Sequence, residues 1–168
     1  MNKSRSNTVY FLTMAAVIAA IYVVLTVVFA PISFGPVQAR ISEALCILPY
    51  FTPAAIPGLF IGCFLSNLLC GSVPMDVIFG SLATLLGAVC SYAIRDKKWL
   101  VCIPPITANT VIVPWVLRYA YGEAQLIPFL MITVGIGEIL AVGILGNLLL
   151  AALERYRRII FKEDPGRF

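Results

Sequence analysis

Residues 134–147 read VGIGEILAVGILGN, and one carboxylate, Glu138, stands in an otherwise apolar run that reaches Asn147. The apolar pattern continues on both sides, to about 126–153. At about 1.5 Å per residue, a helix of that length crosses the ~30 Å hydrocarbon core of a bilayer. A charged side chain at the centre of such a helix costs at least ~2.5–3.5 kcal/mol. Glu138 is therefore expected to face a bundle interior or a cavity, with partners, and not lipid.

Working outward, the chain has 168 residues, of which 61% are hydrophobic and 12% charged. A soluble domain of this length cannot bury so much apolar surface. Apolar runs recur along the chain, and six spans are expected, at about 9–30, 37–51, 54–70, 76–94, 100–117 and 126–153. The fold class expected is an all-α membrane protein, with one integral membrane domain over 1–168. The first run is too long for the apolar core of a signal peptide, and APISFGP after it is a poor cleavage site, so a retained helix is expected. The second span is short, and Pro49, Pro53 and Pro57 interrupt its surroundings. It must be buried, broken or tilted. Irregular backbone at membrane depth is tolerated where protein or a water-filled cavity covers it.

Orientation follows from the basic residues. Lys3 and Arg5 precede the first span, Arg95, Lys97 and Lys98 separate the fourth from the fifth, and Arg155, Arg157, Arg158 and Lys162 follow the sixth. Six spans place all three clusters on one side, which the positive-inside rule makes cytoplasmic, with both termini. The net charge of +4 thus reports topology and anionic lipid, not nucleic acid.

Several classes of chemistry are excluded. There is no histidine, and the five cysteines (Cys46, Cys63, Cys70, Cys90 and Cys102) are scattered singly, without CxxC spacing. That argues against the usual zinc, haem and histidine-base sites, and the cysteines read as small apolar residues. There is no GxxxxGK[ST] loop and no nucleophile with a base beside it, so neither an enzyme nor a bound cofactor is expected. Energy for uptake against a gradient has to come from another subunit or an ion gradient.

Depth singles out the candidate site. Glu138 lies about 18 Å below the outer end of the sixth span, and Asn109 lies about 14 Å below Arg118 in the fifth. The short connection makes these two spans antiparallel neighbours, so the two polar groups fall at similar depth. In QARISEAL, Arg40 and Glu43 share a face if helical, and either pair with each other or meet a ligand. Trp115 reads as an aromatic-belt anchor or a stacking surface, Tyr119 and Tyr121 as belt residues, and Asp76 as a cap of the fourth span. Asn67 reads as interhelical glue as readily as a ligand contact, and Asn147, deeper toward the cytoplasm, reads as a packing or coupling residue. In the first span, Ala15 and Ala19, and likewise Ala16 and Ala20, form small-xxx-small stripes that admit another helix closely.

Four strings, QARISEALCILPYFTPAAIPGLFIGCFLSNLL, DVIFGSLATLLGA, ANTVIVPWVLRYAYG and VGIGEILAVGILGNLLL, together resemble the QueT family over nearly the whole chain. The family comprises substrate-binding S components of energy-coupling factor transporters. The resemblance implies a compact six-transmembrane-helix S-component bundle in the bacterial cell membrane. It implies assembly with a transmembrane coupling protein, EcfT, and two cytoplasmic ATPases. It implies docking through the alanines at 15, 16, 19 and 20, a gate at the loop after the first span, and reorientation in the membrane once docked. The implied ligand is a queuosine precursor, queuine or a related 7-deazaguanine. Glu138 or Glu43 then accepts from the guanine-like edge, Asn109 offers a neighbouring amide, Arg40 orients a carboxylate or closes the outer loop, and Trp115 and Tyr119 supply a stacking wall. The alternatives are an S component for another vitamin or nucleobase, a membrane enzyme, and a proton-coupled carrier with Glu138 as relay.

Overall fold

A computed structural model describes residues 3–33 and 40–161, and the regular structure among them is entirely helical. The helices are α1 (Lys3–Val28), α2 (Ala30–Ser33), α3 (Ala55–Leu69), α4 (Pro74–Ala93), α5 (Ile103–Tyr119), α6 (Ile127–Glu138), α7 (Asn147–Arg155) and α8 (Arg157–Ile160). A 3₁₀ helix, Ile41–Tyr50, precedes α3, and a π-helical segment, Ile139–Gly146, joins α6 to α7. Four stretches are long and apolar enough to cross a membrane: Arg5–Val28, Pro74–Ala93, Lys98–Tyr119 and Ile127–Arg155. The expected second and third spans are the shorter apolar helices Ile41–Tyr50 and Ala55–Leu69. Residues 37–39 of the expected second span, and Lys162 of the last basic cluster, lie outside the described residues.

The 3₁₀ helix Ile41–Tyr50 is the centre of the fold. Nine of its ten residues are buried, including Glu43, Cys46, Ile47 and Tyr50. As a 3₁₀ helix it rises about 2 Å per residue, so ten residues reach ~20 Å, well beyond an α-helix of equal length. Pro49 lies inside it and has no N–H to contribute to an α-helical ladder. The 3₁₀ helix packs against the π segment. Gly146 permits that approach: a Cβ there would lie 3.1 Å from Ile47 Cγ2 and 3.4 Å from the Ala44 carbonyl. One turn earlier, the Asn147 amide donates to the Gly143 carbonyl at 2.6 Å, giving a widened turn an extra donor.

α1 packs against α3, and α4 lies between α3 and α5. The α1–α3 contact is glycine-mediated. A Cβ on Gly58 would lie 2.8 Å from the Ala15 carbonyl, and one on Gly62 would lie 2.8 Å from Tyr22 Cβ. The alanine stripes of α1 consequently divide. Ala15 and Ala19 are buried at the α3 contact, whereas Ala16 and Ala20 are exposed. Only the second pair has a free face for a partner.

Long-range contacts gather the basic clusters at one end. The Tyr10 hydroxyl donates to the Ile160 carbonyl at 3.2 Å, and Lys98 pairs with Glu154 at 2.8 Å. Phe161 stacks on Phe51 with centroids 4.9 Å apart. At the other end Arg118 donates to the Glu123 carbonyl, closing the α5–α6 turn around Gly122, whose φ of 73° suits glycine.

Candidate functional site

Side chains from four elements, most of them buried and polar, meet between the basic end and the α5–α6 turn. Arg40 and Glu43 come from the start of the 3₁₀ helix, Thr84 and Gly80 from α4, Asn109 and Val113 from α5, and Val134 and Glu138 from α6; together they line one cavity. Its volume is about 10 Å³, roughly the space of one water. A purine-sized base enters only if the walls separate.

The geometry of Glu138 answers the expectation from depth. Glu138 is 6% exposed, and the Asn109 amide donates to its Oε1 at 2.9 Å. Its Oε2 is buried without a hydrogen-bond partner. The antiparallel pairing of α5 with α6 thus brings the two groups to one level. Pro114, one turn beyond Asn109, lacks the N–H that would bond the Thr110 carbonyl, which locally opens α5.

Glu43 is held differently. The Tyr22 hydroxyl of α1 donates to its Oε1, and Cys46 Sγ donates to its Oε2 at 2.9 Å. Thr26, one turn beyond Tyr22, bonds the Tyr22 carbonyl at 2.9 Å and the Ser42 hydroxyl at 2.8 Å. These bonds seat the start of the 3₁₀ helix on α1. Cys63 is likewise drawn into polar packing, with Thr84 Oγ1 at 3.4 Å. Cys46 and Cys63 are therefore more than small apolar filler.

Arg40 pairs with Asp76 at 3.4 Å, both being almost fully buried. The Tyr121 hydroxyl donates to the same Asp76 oxygen at 3.0 Å. Asp76 was expected to cap α4. Val73 is the N-cap instead, and Asp76, in the first turn, uses its carboxylate to join the 3₁₀ helix to the α5–α6 turn. Burial pushes the Tyr121 phenol up.

The remaining candidates lie elsewhere. Asn67 is buried behind the cavity wall, donating to the Asp76 carbonyl at 3.3 Å, which ties α3 to α4. Trp115 and Tyr119 do not line the cavity. They stack on each other, centroids 6.1 Å apart, beside an apolar groove of about 350 Å³ formed with Met75, Phe79 and Val111. Trp115 is 47% and Tyr119 70% exposed, as suits belt residues rather than walls of a buried pocket. Tyr22, Cys46, Thr84 and the acidic partner of Arg40 were not legible in the sequence. Tyr22 sits in an aliphatic run as one tyrosine among seven, and only the packing of α1 on α3 turns it inward.

Two comparisons with known proteins bear on the site. The family model described as QueT transporter matches residues 12–155. The queuosine precursor transporter QueT of Lactococcus lactis subsp. cremoris (strain MG1363) is 40% identical over 88 residues. That alignment covers 51% of this chain and 50% of the relative, so the chain spans about half the length of the curated relative it matches. No solved structure matches. With its apolar helices this is a multi-pass membrane protein, and the residues that build the cavity fall within the matched region: the chain belongs to the QueT transporter family.

Proposed function

We propose that this protein binds a queuosine precursor, queuine or a related 7-deazaguanine, in the cavity beneath the Arg40–Asp76–Tyr121 contact. The observation that carries the reading is the buried cluster of Glu138, Asn109, Glu43 and Arg40 around one space. A 7-deazaguanine presents N1–H and an exocyclic amine on one edge and a carbonyl beside them. Carboxylate oxygens accept the first two, and an amide or guanidinium donates to the third. The relative's printed function and the family match support the same ligand class.

In this reading the protein is the S component of an energy-coupling factor importer in the bacterial cell membrane. The basic end and both termini face the cytoplasm, and the Tyr121 end faces outward. Release of Tyr121 from Asp76 widens the cavity for the ligand. Transport requires EcfT and two ATPases, with Ala16 and Ala20 on the face that meets EcfT. ATP hydrolysis belongs to those partners.

Ligand-protected unfolding of the purified chain tests the reading. Queuine at a hundredfold excess over its dissociation constant is expected to stabilise the fold by about 2.7 kcal/mol, and riboflavin and biotin are expected to do nothing. Stabilisation by a vitamin and not by any deazaguanine contradicts the assignment.

A further inference from the structure

The cavity contains two buried carboxylates, and their surroundings differ. Each oxygen of Glu43 already has a protein donor, Tyr22 on one and Cys46 on the other. Glu138 has one donor, Asn109 on Oε1, while Oε2 is buried and without a partner. A buried acceptor with no donor leaves its desolvation uncompensated, so it gains most when a ligand brings an N–H. An acceptor already bonded gains less from a further donor. The site is also rigid where it needs to be: Asn109 fixes the plane of the Glu138 carboxylate, and Tyr22, fully buried and packed on Gly62, fixes Glu43.

The geometry points to a division of labour: Glu138, through Oε2, is the residue that discriminates ligands by their donor edge, and Glu43 is a fixed wall that Tyr22 and Cys46 commit to the protein frame. This rests on the ligand reading above and sharpens it. The exocyclic amine of a guanine-like base meets Oε2, and the adjacent ring N–H falls to the second lone pair of Oε1. Tyr22 is then a positioning residue. Its hydroxyl holds Glu43 in the wall.

The chemistry of substitution makes the claim selective. In Glu138→Gln the Asn109 amide still finds the side-chain carbonyl, so the pair survives. The free acceptor is replaced by an NH₂ that opposes the ligand's own donor. A change at Glu43 alters the wall without altering that acceptor.

The test measures the affinities of 7-deazaguanine and 7-deazahypoxanthine, which lacks the exocyclic amine, for wild type, Glu138→Gln, Glu138→Asp, Glu43→Gln and Tyr22→Phe. Wild type is expected to prefer the aminated base by on the order of tenfold or more. Glu138→Gln is expected to bring the ratio to unity or invert it. Glu138→Asp, which keeps the charge but withdraws the oxygen, is expected to lower it. Glu43→Gln and Tyr22→Phe are expected to retain the wild-type ratio even where both affinities fall. Collapse of the ratio in Glu43→Gln, with retention in Glu138→Gln, overturns the assignment and leaves the ligand reading standing. Binding of neither base by wild type overturns both.

Discussion

Asn109 and Glu138 depend on each other. Replacing Asn109 with leucine removes the one donor to Glu138 and leaves both of its oxygens unmatched. We expect a loss of about 1–3 kcal/mol in denaturant unfolding, more if the carboxylate stays ionised. Asp76→Asn leaves Arg40 buried beside a neutral amide. Removing one partner of a buried pair costs about 3–5 kcal/mol, and the same measurement should place this variant below Asn109→Leu. Glu138 and Asn109 were legible in the sequence because a polar group within a spanning run has a calculable depth and few tolerable surroundings. The ion pair of Arg40 was not. Nothing in residues 40 to 76 says that a side chain at the start of a 3₁₀ helix reaches the first turn of α4. Trp115 shows the converse limit: its position near a helix end was readable, but which way it turns depends on the rotation of α5, which packing decides.

Between residue and molecule, the α1–α3 contact links fold to site. Gly62→Leu drives a side chain into Tyr22 and the Ala19 carbonyl, and backbone cannot yield as a flexible side chain does. Overpacking costs about 1–3 kcal/mol or more. Because Tyr22 holds Glu43, this substitution is expected to weaken ligand binding as well, although it lies outside the cavity. Ala16→Leu makes the contrast. Ala16 is exposed, so fold and binding should be unchanged, and the proposed docking on EcfT predicts that uptake by the assembled transporter is lost. Loss of binding instead would mean that Ala16 serves internal packing. The small-residue spacing in the first span was plain in the sequence, but both stripes fit it equally, and only the glycines opposite decide which turns inward. The prolines around 49–57 similarly showed that a regular spanning helix was impossible there. That the solution is a buried 3₁₀ helix against a π segment depends on the facing residues Ile47 and Gly146.

Across the whole molecule, charge and cavity define two ends. The basic clusters meet through Tyr10–Ile160 and Lys98–Glu154, and the Arg40–Asp76–Tyr121 contact lies at the opposite end from these. The sequence anticipated one shared basic end because spans alternate direction, which is a matter of counting rather than of packing. It gave no hint of how little space the polar side chains enclose. Entry of a base therefore demands a rearrangement, and in the proposed S-component reading isolated protein in vesicles should bind ligand without accumulating it. The most direct test of the central claim is calorimetric titration of queuine into the purified protein, comparing wild type with Glu138→Gln and with Trp115→Ala. Binding by wild type, loss of at least about tenfold in affinity for Glu138→Gln, and unchanged affinity for Trp115→Ala are expected. Equal affinity in wild type and Glu138→Gln, or loss confined to Trp115→Ala, would contradict that claim.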